Sequence, residues 1–343
     1  MRLYEKLTQF RDDPSSKGFA ICDAKDGDMG AGITTFGPIR DAKALETGKY
    51  KNRTDFMQAI REVVRQDIVD MMILSVSNLE RAVAEGVFNG SAITLAARAN
   101  DTTDVWMGIR NGTYTQHPSR PFRSPAIEHI LRGSLDSTSS RRLTDLALYS
   151  VTFVNDIDRD FATLAAYREF RLEAERLGLR HFLEVFNPNV GSEKIDHAEL
   201  GHYVNDCIIA TLAGVAEAGR PQFLKVAFNG PAVLEELVSY DPRLIVGVLG
   251  GSAGTTRDAM ELVLAAKRGG ARLALFGRKI RLAEDPLSII ELMRRVVDDE
   301  VLPTEAVKIY HDRLKKNGVP PVRPFENDIE VTDPVLKTCI SPA

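Results

Sequence analysis

Two short runs of sequence, RHFLEVF at residues 180–186 and FLKVAF at residues 223–228, are typical of buried strands. Both runs are rich in the apolar, aromatic and β-branched residues that form buried strands. The segment between them includes residues 195–218, where apolar residues recur with the period of a helix. A buried strand followed by a helix and a second buried strand is typical of a parallel sheet with crossover helices.

The same alternation of apolar runs and helical segments extends along most of the chain. Six further strands are predicted at residues 18–23 (GFAICD), 70–75 (DMMILS), 91–98 (SAITLAAR), 146–155 (LALYSVTFVN), 244–249 (LIVGVL) and 272–277 (RLALFG). Helices are predicted at residues 159–177, before a glycine, and at residues 256–267, after capping threonines. Eight strands in this rhythm predict an α/β fold of the (β/α)8 TIM-barrel class in a single domain. The glycine fingerprints of dinucleotide-binding and P-loop folds do not occur in the sequence.

Charge and cysteine content exclude several classes of function. The chain has 343 residues, with 44 Lys and Arg against 48 Asp and Glu, and its net charge of −4 gives no basic field for nucleic acid or an anionic membrane. Three cysteines without a CxxC spacing argue against a zinc ribbon or a disulfide framework and favour a reducing cytoplasm. The polar N-terminus and the lack of a long apolar stretch predict a soluble protein without a secretion signal or a membrane span.

Two regions depart from the rhythm of strands and helices. Residues 99–142, rich in Arg, Pro, Thr and Asn, follow the third strand and are too long for a plain connection. An active-site lid and a subunit-contact loop are equally good interpretations of this insertion. The segment from residue 319, VPPVRPFENDIEVTDPV, predicts a tail that lies on the surface or on a neighbouring subunit. We therefore expect a barrel over residues 1–315 and a tail over residues 316–343, in a homo-oligomer.

Three ionisable residues lie in apolar strands near the end where barrel active sites form. Burial disfavours the charged form of a lysine, so Lys225 in FLKVAF could offer a neutral amine to a carbonyl group. Glu184 in the preceding strand would lie beside Lys225 at the same rim, where a carboxyl could move protons. Asp23 ends the first strand and could orient a substrate hydroxyl. The alternatives stay open: an outward-facing Lys225, a purely structural ion pair for Glu184, and a turn residue for Asp23.

Loops after the last two strands have the composition of a phosphate site. The seventh strand continues into GVLGGSAGTTRDA and the eighth into FGRKI. Glycines let backbone amides converge on an anion, the following helix adds its positive end, and an arginine adds charge-assisted hydrogen bonds. The residues predicted to bind phosphate are Gly250, Gly251, Ser252, Gly277 and Arg278. Tight turns alone are the other explanation for these glycines.

Over most of residues 18–295 these motifs resemble the class I, Schiff-base aldolases of the deoxyribose-phosphate, tagatose-bisphosphate and archaeal-type fructose-bisphosphate aldolase superfamily. FLKVAF is similar to the LKV-type strand that carries the Schiff-base lysine, which the resemblance maps to Lys225. FLEVF is similar to the FLEI strand of the tagatose-bisphosphate branch, whose glutamate maps to Glu184. GVLGGSAG and FGRKI resemble the phosphate loops of the superfamily. ICDAKDG with the later FGPIRD resembles its first-strand motif, which implies Asp23 as a site residue.

The sequence departs from the pattern of that superfamily at three places. In the fructose-bisphosphate branch a tyrosine two residues after the glutamate position supplies a proton, whereas this chain has Phe186, which leaves Glu184 or a group on the insertion as the donor. The first strand continues as Asp-Ala-Lys in place of Asp-His-Gly, and we expect Lys25 to bind substrate. The tagatose branch has a lysine in strand four, where Asn155 or Tyr149 is expected to replace its contacts. These differences put the usual bisphosphate substrates in question.

The resemblance implies a metal-independent lyase that needs no cofactor and cleaves or forms a C–C bond in a phosphorylated ketose through Lys225. His181, His197 and His202 lack the spacing of a metal-ligand motif, which agrees with a metal-independent reaction. Two other functions remain open on the same barrel. One is a phosphosugar isomerase or epimerase in which Glu184 and Asp23 act as acid and base. The other is a non-catalytic sugar-phosphate-binding protein.

Overall fold

Eight parallel strands close into a barrel in the order in which they occur in the sequence. The computed structural model describes residues 1–39, 48–251 and 254–340. The strands are Ala20–Ala24 (β1), Met71–Leu74 (β2), Thr94–Arg98 (β3), Leu146–Thr152 (β4), Arg180–Phe186 (β5), Leu224–Val226 (β6), Val246–Leu249 (β7) and Leu273–Phe276 (β8). Each observed strand overlaps a predicted one, and the (β/α)8 TIM-barrel class is confirmed.

Side chains of the strands alternate between the barrel interior and the layer beneath the helices. In β5, Phe182 belongs to the apolar cluster inside the barrel, whereas Leu183 and Val185 belong to the larger cluster under the helices. At the start of β6, Phe223 lies in the interior cluster and Leu224 in the outer one. The residues two positions after Phe182 and Phe223 therefore also face the interior, closer to the carboxyl end of the barrel.

The first helix, α1 (Arg2–Asp12), closes the amino-terminal end of the barrel. Leu3, Leu7 and Phe10 lie on one face of this helix and join the interior cluster, with Leu3 and Leu7 fully buried. The amide of Arg2 donates to the carbonyl of Ala92 just before β3. This end of the barrel is therefore filled by side chains.

Helices fill the connections between the strands. The described helices after α1 are Asp28–Ala31 (α2), Arg53–Gln66 (α3), Val76–Ala84 (α4), Ile127–Arg132 (α5), Ile157–Leu177 (α6), Leu200–Ala213 (α7), Pro231–Tyr240 (α8), Thr256–Arg268 (α9), Arg278–Leu282 (α10), Pro286–Val297 (α11), Pro303–Lys316 (α12), Phe325–Asp328 (α13) and Pro334–Lys337 (α14). Helix α6 ends at Leu177, and Gly178 follows with φ 75°, as the sequence predicts. Across these residues, none of the helices combines the length and apolar character that crossing a membrane requires.

The predicted helix at residues 195–218 is too long at both ends. Helix α7 begins at Leu200, because the Asp196 carboxylate accepts the amide of Ala198 and forms a turn before the helix. It ends at Ala213, and Gly214 follows as the residue that terminates it. Apolar residues continue beyond this point because Val215 packs into the core from a loop.

The insertion after β3 contains short elements of its own. Two-residue strands, Asp101–Thr102 and Pro121–Phe122, pair antiparallel. Between them lie the 3-10 helices Thr103–Gly108 and Tyr114–Gln116, and helix α5 follows. Asn189, after β5, donates to the carbonyl of His117 at 2.7 Å and so ties this insertion to the barrel rim.

Candidate functional site

A cavity of about 780 Å³ opens at the carboxyl end of the barrel. Residues that follow β1, β5, β7 and β8 line it, together with the insertion after β3. This is the end at which barrel enzymes place their active sites, because the loops that follow the strands converge there. Its charged lining residues are Asp26, Arg98, Asp104, Glu184, Lys225, Arg278 and Arg281.

Four side chains from adjacent strands form a hydrogen-bonded row across one wall of the barrel. Arg98 Nη2 donates to Ser150 Oγ at 3.3 Å, and Ser150 Oγ donates to Glu184 Oε2 at 2.7 Å. The other carboxylate oxygen, Glu184 Oε1, lies 2.5 Å from Lys225 Nζ. Strand register produces this row, because Ser150 pairs with Glu184 and Glu184 with Lys225 across β4, β5 and β6. Lys225 therefore points into the barrel and lines the cavity, and does not extend between the helices.

Both side chains of the Lys225–Glu184 contact are buried. The side chain of Lys225 is 7% exposed and that of Glu184 is 2% exposed. A buried ion pair gains little over apolar packing, because both charges lose their hydration. Such a pair holds an amine and a carboxylate within the distance of one proton transfer.

Arg98 lies at the centre of a second group of charges. Its guanidinium contacts Asp26 at 2.9 Å and Asp101 at 3.1 Å, and Nε donates to the carbonyl of Asn100 at 2.8 Å. Burial acts to lower the pKa of Arg98, but Asp101 and Asp26 outweigh it and hold that pKa above its ordinary value. Burial raises the pKa of Asp101 to about 6, against the opposing effect of Arg98. Arg98 is therefore a permanent cation in the wall of the cavity, next to Ser150.

The loops after β7 and β8 meet at the opposite wall of the cavity. Gly250, Gly251, Gly277 and Arg278 line it, and Arg278 Nη2 donates to the carbonyl of Gly251 at 2.6 Å. Gly251 has φ 57°, in the left-handed region that favours glycine. A Cβ on Gly277 would lie 2.8 Å from the carbonyl oxygen of Ala24, so close packing against β1 also requires a glycine there. Ser252, the fifth residue predicted to bind phosphate, lies outside the described residues.

The amino end of α9 lies beside the tail of the chain. Thr255 caps the helix, as predicted, and accepts the amide of Asp258. The amide of Thr256 in the first turn donates to a carboxylate of the tail, Asp328 Oδ1, at 2.7 Å. This amide is therefore already satisfied within the chain.

Three predicted site residues lie outside the lining of the cavity. Asp23 is fully buried and pairs with Lys25 at 2.9 Å, and it shares the outer face of β1 with Ile21. Burial raises the pKa of Asp23, and Lys25 opposes this rise. Lys25 Nζ lies 6.0 Å from the ring centroid of Phe56 in α3, beneath the helices. Asn155 is exposed after β4. Asp23, Lys25 and Asn155 therefore do not line the cavity, and their contact with a substrate stays a prediction.

Residues that sequence reasoning missed complete the cavity wall. Arg98 has a readable signal, because it lies two residues after Ala96 on the inward face of β3. Ser150 has the same relation to Leu148 in β4. Asp26 and Arg281 lie beyond the ends of strands, where alternation no longer predicts direction, and only the structure places them in the cavity. The described residues contain no cluster of three or more His, Cys, Asp or Glu side chains arranged as a metal site.

No family model matches the sequence, and no curated protein is similar enough in sequence to match it. Solved structures do resemble the fold over most of its length. An archaeal fructose 1,6-bisphosphate aldolase aligns with a TM-score of 0.59 and 16% identity, over 86% of this chain and 98% of that chain. The fructose-bisphosphate aldolase from Slackia heliotrinireducens DSM 20476 aligns with a TM-score of 0.61 and 15% identity, over 90% and 89%. The barrel thus has the fold of these aldolases, as the motifs indicated.

A third similar structure is an archaeal fructose-1,6-bisphosphate aldolase with its catalytic lysine covalently bound to the carbinolamine intermediate of the substrate. It aligns with a TM-score of 0.60 and 15% identity, over 86% of this chain and 99% of that chain. At this level of identity the three comparisons establish a shared fold, and the chemistry of this chain has to be argued from its own side chains.

Proposed function

We propose that the protein is a class I aldolase, a lyase that cleaves or forms a C–C bond in a phosphorylated ketose through a Schiff base on Lys225. One observation carries this proposal: Lys225 Nζ lies inside the cavity, 2.5 Å from the Glu184 carboxylate. The fold shared with fructose-bisphosphate aldolases adds support. A paired amine and carboxyl at the carboxyl end of a barrel suit covalent catalysis at a carbonyl carbon.

Schiff-base formation needs the amine of Lys225 and a group that moves protons. Glu184 accepts one proton from the Nζ ammonium, and the neutral amine adds to the ketone carbon. A proton then passes from the nitrogen to the former carbonyl oxygen and gives the carbinolamine. Glu184 then donates a proton to the hydroxyl of this carbinolamine, which leaves as water and yields the iminium. Ser150, which donates to the second oxygen of Glu184, keeps the carboxylate directed at Lys225 in both steps.

The iminium is the electron sink for C–C cleavage. A base removes the proton of the hydroxyl two carbons from the iminium carbon, the C–C bond breaks, an aldehyde leaves and an enamine remains on Lys225. Protonation of the enamine and addition of water return the free amine and the second product. Phe186 cannot exchange protons, so Glu184 is the proposed base, and Asp104 is the carboxyl that the insertion brings to the cavity.

The wall formed after β7 and β8 is the proposed phosphate site. Gly251 and Arg278 line it, and Arg281 lies beside them, with its Nη1 donating to Thr35 at 2.6 Å. Guanidinium groups and backbone amides are strong donors to a phosphate oxygen. Gly250 and Gly277 keep this wall free of side chains.

Borohydride reduction tests the covalent step directly. The protein is incubated with dihydroxyacetone phosphate and a panel of ketose phosphates, reduced, and its intact mass and peptide map are measured. We expect a substrate-derived mass on Lys225. Lys25→Met is the matched control, because Lys25 is also buried and paired with a carboxylate but lies outside the cavity.

Lys225→Met should abolish the adduct, and Lys25→Met should keep it. Turnover of a phosphosugar without any adduct would replace the proposal by an isomerase or epimerase that uses Lys225 as a fixed charge. Thermal stabilisation by phosphosugars without turnover or adduct would indicate a sugar-phosphate-binding protein.

A further inference from the structure

The insertion after β3 places a buried carboxylate, Asp104, in the wall of the cavity. Thr152 Oγ1 donates to Asp104 Oδ2 at 3.0 Å, and Ser119 Oγ donates to Asp104 Oδ1 at 2.5 Å. Asp104 is 6% exposed, and the two hydroxyl-bearing residues are more deeply buried still. Thr152 belongs to β4 and Ser119 to the insertion. The carboxylate is therefore held from the barrel and from the insertion at once.

The backbone around Asp104 is also fixed. The amide of Thr103 donates to the carbonyl of Arg120 at 3.0 Å, and the amide of Arg120 donates to Thr103 Oγ1 at 2.9 Å. On the other side, a Cβ on Gly30 in α2 would lie 3.1 Å from the carbonyl oxygen of Val105, so α2 packs closely against this segment. A group that transfers a proton to or from carbon has to be held at a set distance and direction, and this rigid setting meets that requirement.

Asp104 differs from the two other aspartate and glutamate residues that line the cavity in the charge of its partners. Asp26 forms a buried ion pair with Arg98, and Glu184 forms one with Lys225. Within the described ranges, the Asp104 carboxylate bonds to two hydroxyl groups and to no cation. Protonation of Asp104 therefore breaks no ion pair, whereas protonation of Asp26 would take a counter-charge from a buried guanidinium. A hydroxyl can also turn to accept the proton of a carboxylic acid, so both forms of Asp104 keep a partner.

Strand geometry places Asp104 one layer above the pair formed by the amine and Glu184. Thr152 follows Ser150 by two residues on the inward face of β4, a step of about 7 Å toward the carboxyl end. Ser150 bonds Glu184, so the pair lies in the lower layer, whereas Asp104 bonds Thr152 in the upper one. Phe186 in β5 pairs with Thr152 and lines the cavity at this upper level, where its ring excludes water. A substrate bonded to the amine extends from the lower layer toward the upper one, because the cavity opens in that direction.

We infer that Asp104 is a further catalytic residue, the acid and base that transfers a proton at the carbon next to the iminium carbon. This inference rests on the proposed function. In cleavage, the C=C electron pair of the enamine takes the proton of Asp104 and forms a C–H bond, while the lone pair of the Lys225 nitrogen forms the C=N bond again. Water then returns a proton to the Asp104 carboxylate. In synthesis, the carboxylate removes the proton from carbon and the electrons return to nitrogen. Glu184 thus serves the nitrogen and oxygen atoms from the lower layer, and Asp104 serves the carbon from the upper one.

Exchange of a carbon-bound proton with the solvent isolates this step. Wild type, Asp104→Asn and Asp136→Asn are incubated with dihydroxyacetone phosphate in D2O, and NMR follows the loss of the hydroxymethyl C–H signal. Asp136→Asn is the matched control, because Asp136 is an exposed carboxylate of the same insertion that also accepts a hydroxyl, that of Thr138. Exchange should fall at least about 100-fold in Asp104→Asn and stay as in the wild type in Asp136→Asn. Borohydride should still fix the adduct on Lys225 in both variants.

Two further variants keep the test decisive. Asp104→Glu, which keeps an ionisable carboxyl, should retain more exchange than Asp104→Asn. If circular dichroism shows that Asp104→Asn does not fold, Thr152→Val decides, because it withdraws the hydroxyl that directs the carboxylate and leaves the carboxylate in place. Exchange should then fall about tenfold with the adduct unchanged.

The readouts separate this inference from the proposed function. Wild-type exchange in folded Asp104→Asn, unchanged exchange in Thr152→Val, or loss of the adduct together with exchange in a folded Asp104 variant would overturn the inference while Lys225 still forms its adduct in the wild type. If the wild type forms no adduct with any ketose, the proposed function fails and the role of Asp104 fails with it.

Discussion

The two halves of the barrel interior are lined by the same strands but differ in chemistry. Toward the amino end, Leu148, Phe182 and Phe223 are apolar and pack with α1. Two residues further along, on the same inward face, stand Ser150, Glu184 and Lys225. The period of two keeps the direction of the side chains constant, so the change from apolar to polar residues marks where the core ends and the site begins.

The polar half of the interior does not add to the stability of the fold. Apolar side chains of similar size would fill the polar half at no loss of stability. The reason is that the lost hydration of the two charges offsets most of their attraction. Breaking the pair on one side leaves a buried charge and is costly. The apolar half, toward the amino end of the strands, contributes stability in proportion to the apolar area that it buries.

Lys225→Met should produce the largest loss of stability, about 4 kcal/mol, because it leaves the Glu184 carboxylate buried without its cation. Urea unfolding followed by far-UV circular dichroism measures this loss. The double variant Lys225→Met/Glu184→Gln should recover most of it, since an uncharged amide still accepts the hydroxyl of Ser150. A double variant no more stable than Lys225→Met would show that the pair is not the source of the effect.

Leu7→Ala tests the apolar half and should cost about 3 kcal/mol, because a fully buried leucine leaves a cavity at the closed end of the barrel. Helix α1 lies at the opposite end from the cavity, so adduct formation on Lys225 should continue at temperatures where the variant is folded. Urea unfolding measures the loss of stability. Borohydride trapping, carried out 20 °C below the thermal unfolding midpoint of the variant, measures whether the adduct still forms. Loss of trapping in a folded variant would contradict the separation of the two halves.

His181 is a buried ionisable group without a carboxylate partner among its described contacts. It lies beneath α6, with its Nε2 2.9 Å from the hydroxyl of Tyr167. Burial lowers the pKa of His181 from 6.5 to about 3, so the folded protein keeps it neutral, whereas the unfolded chain takes up a proton below pH 6.5. The unfolded state then binds more protons, and stability falls as the pH decreases from 6.5 toward 3.

At pH 5 this effect amounts to about 2 kcal/mol relative to pH 7. His181→Gln should therefore lose less stability between pH 7 and pH 5 than the wild type does, as measured by urea midpoints at both values. A glutamine can still bond the hydroxyl of Tyr167, which limits other effects of the change. Equal losses in both proteins would mean that His181 is protonated in the folded state as well.

The fold was predictable because buried parallel strands leave uninterrupted apolar runs in the sequence. Lys225 and Glu184, which line the cavity, could be picked out for the same reason, as charged residues inside such runs. The direction of Asp23 could not be predicted, because the sequence does not show that it lies on the same outer face of β1 as Ile21. Asp328 could not be predicted, because its contact with Thr256 joins residues 72 positions apart across two loops.

Asn155→Gly should have the smallest effect. It tests whether a residue that does not line the cavity also takes no part in the reaction. Asn155 has φ 54° and is exposed after β4, where a glycine adopts the same conformation without strain. Asn155→Gly should change stability by less than about 0.5 kcal/mol and leave KM and kcat within about twofold. Steady-state kinetics with the ketose that forms the adduct provides the measurement. A tenfold rise in KM would mean that the exposed end of β4 reaches the substrate, and the polar half of the interior would then extend beyond the cavity wall formed by Arg98, Glu184 and Lys225.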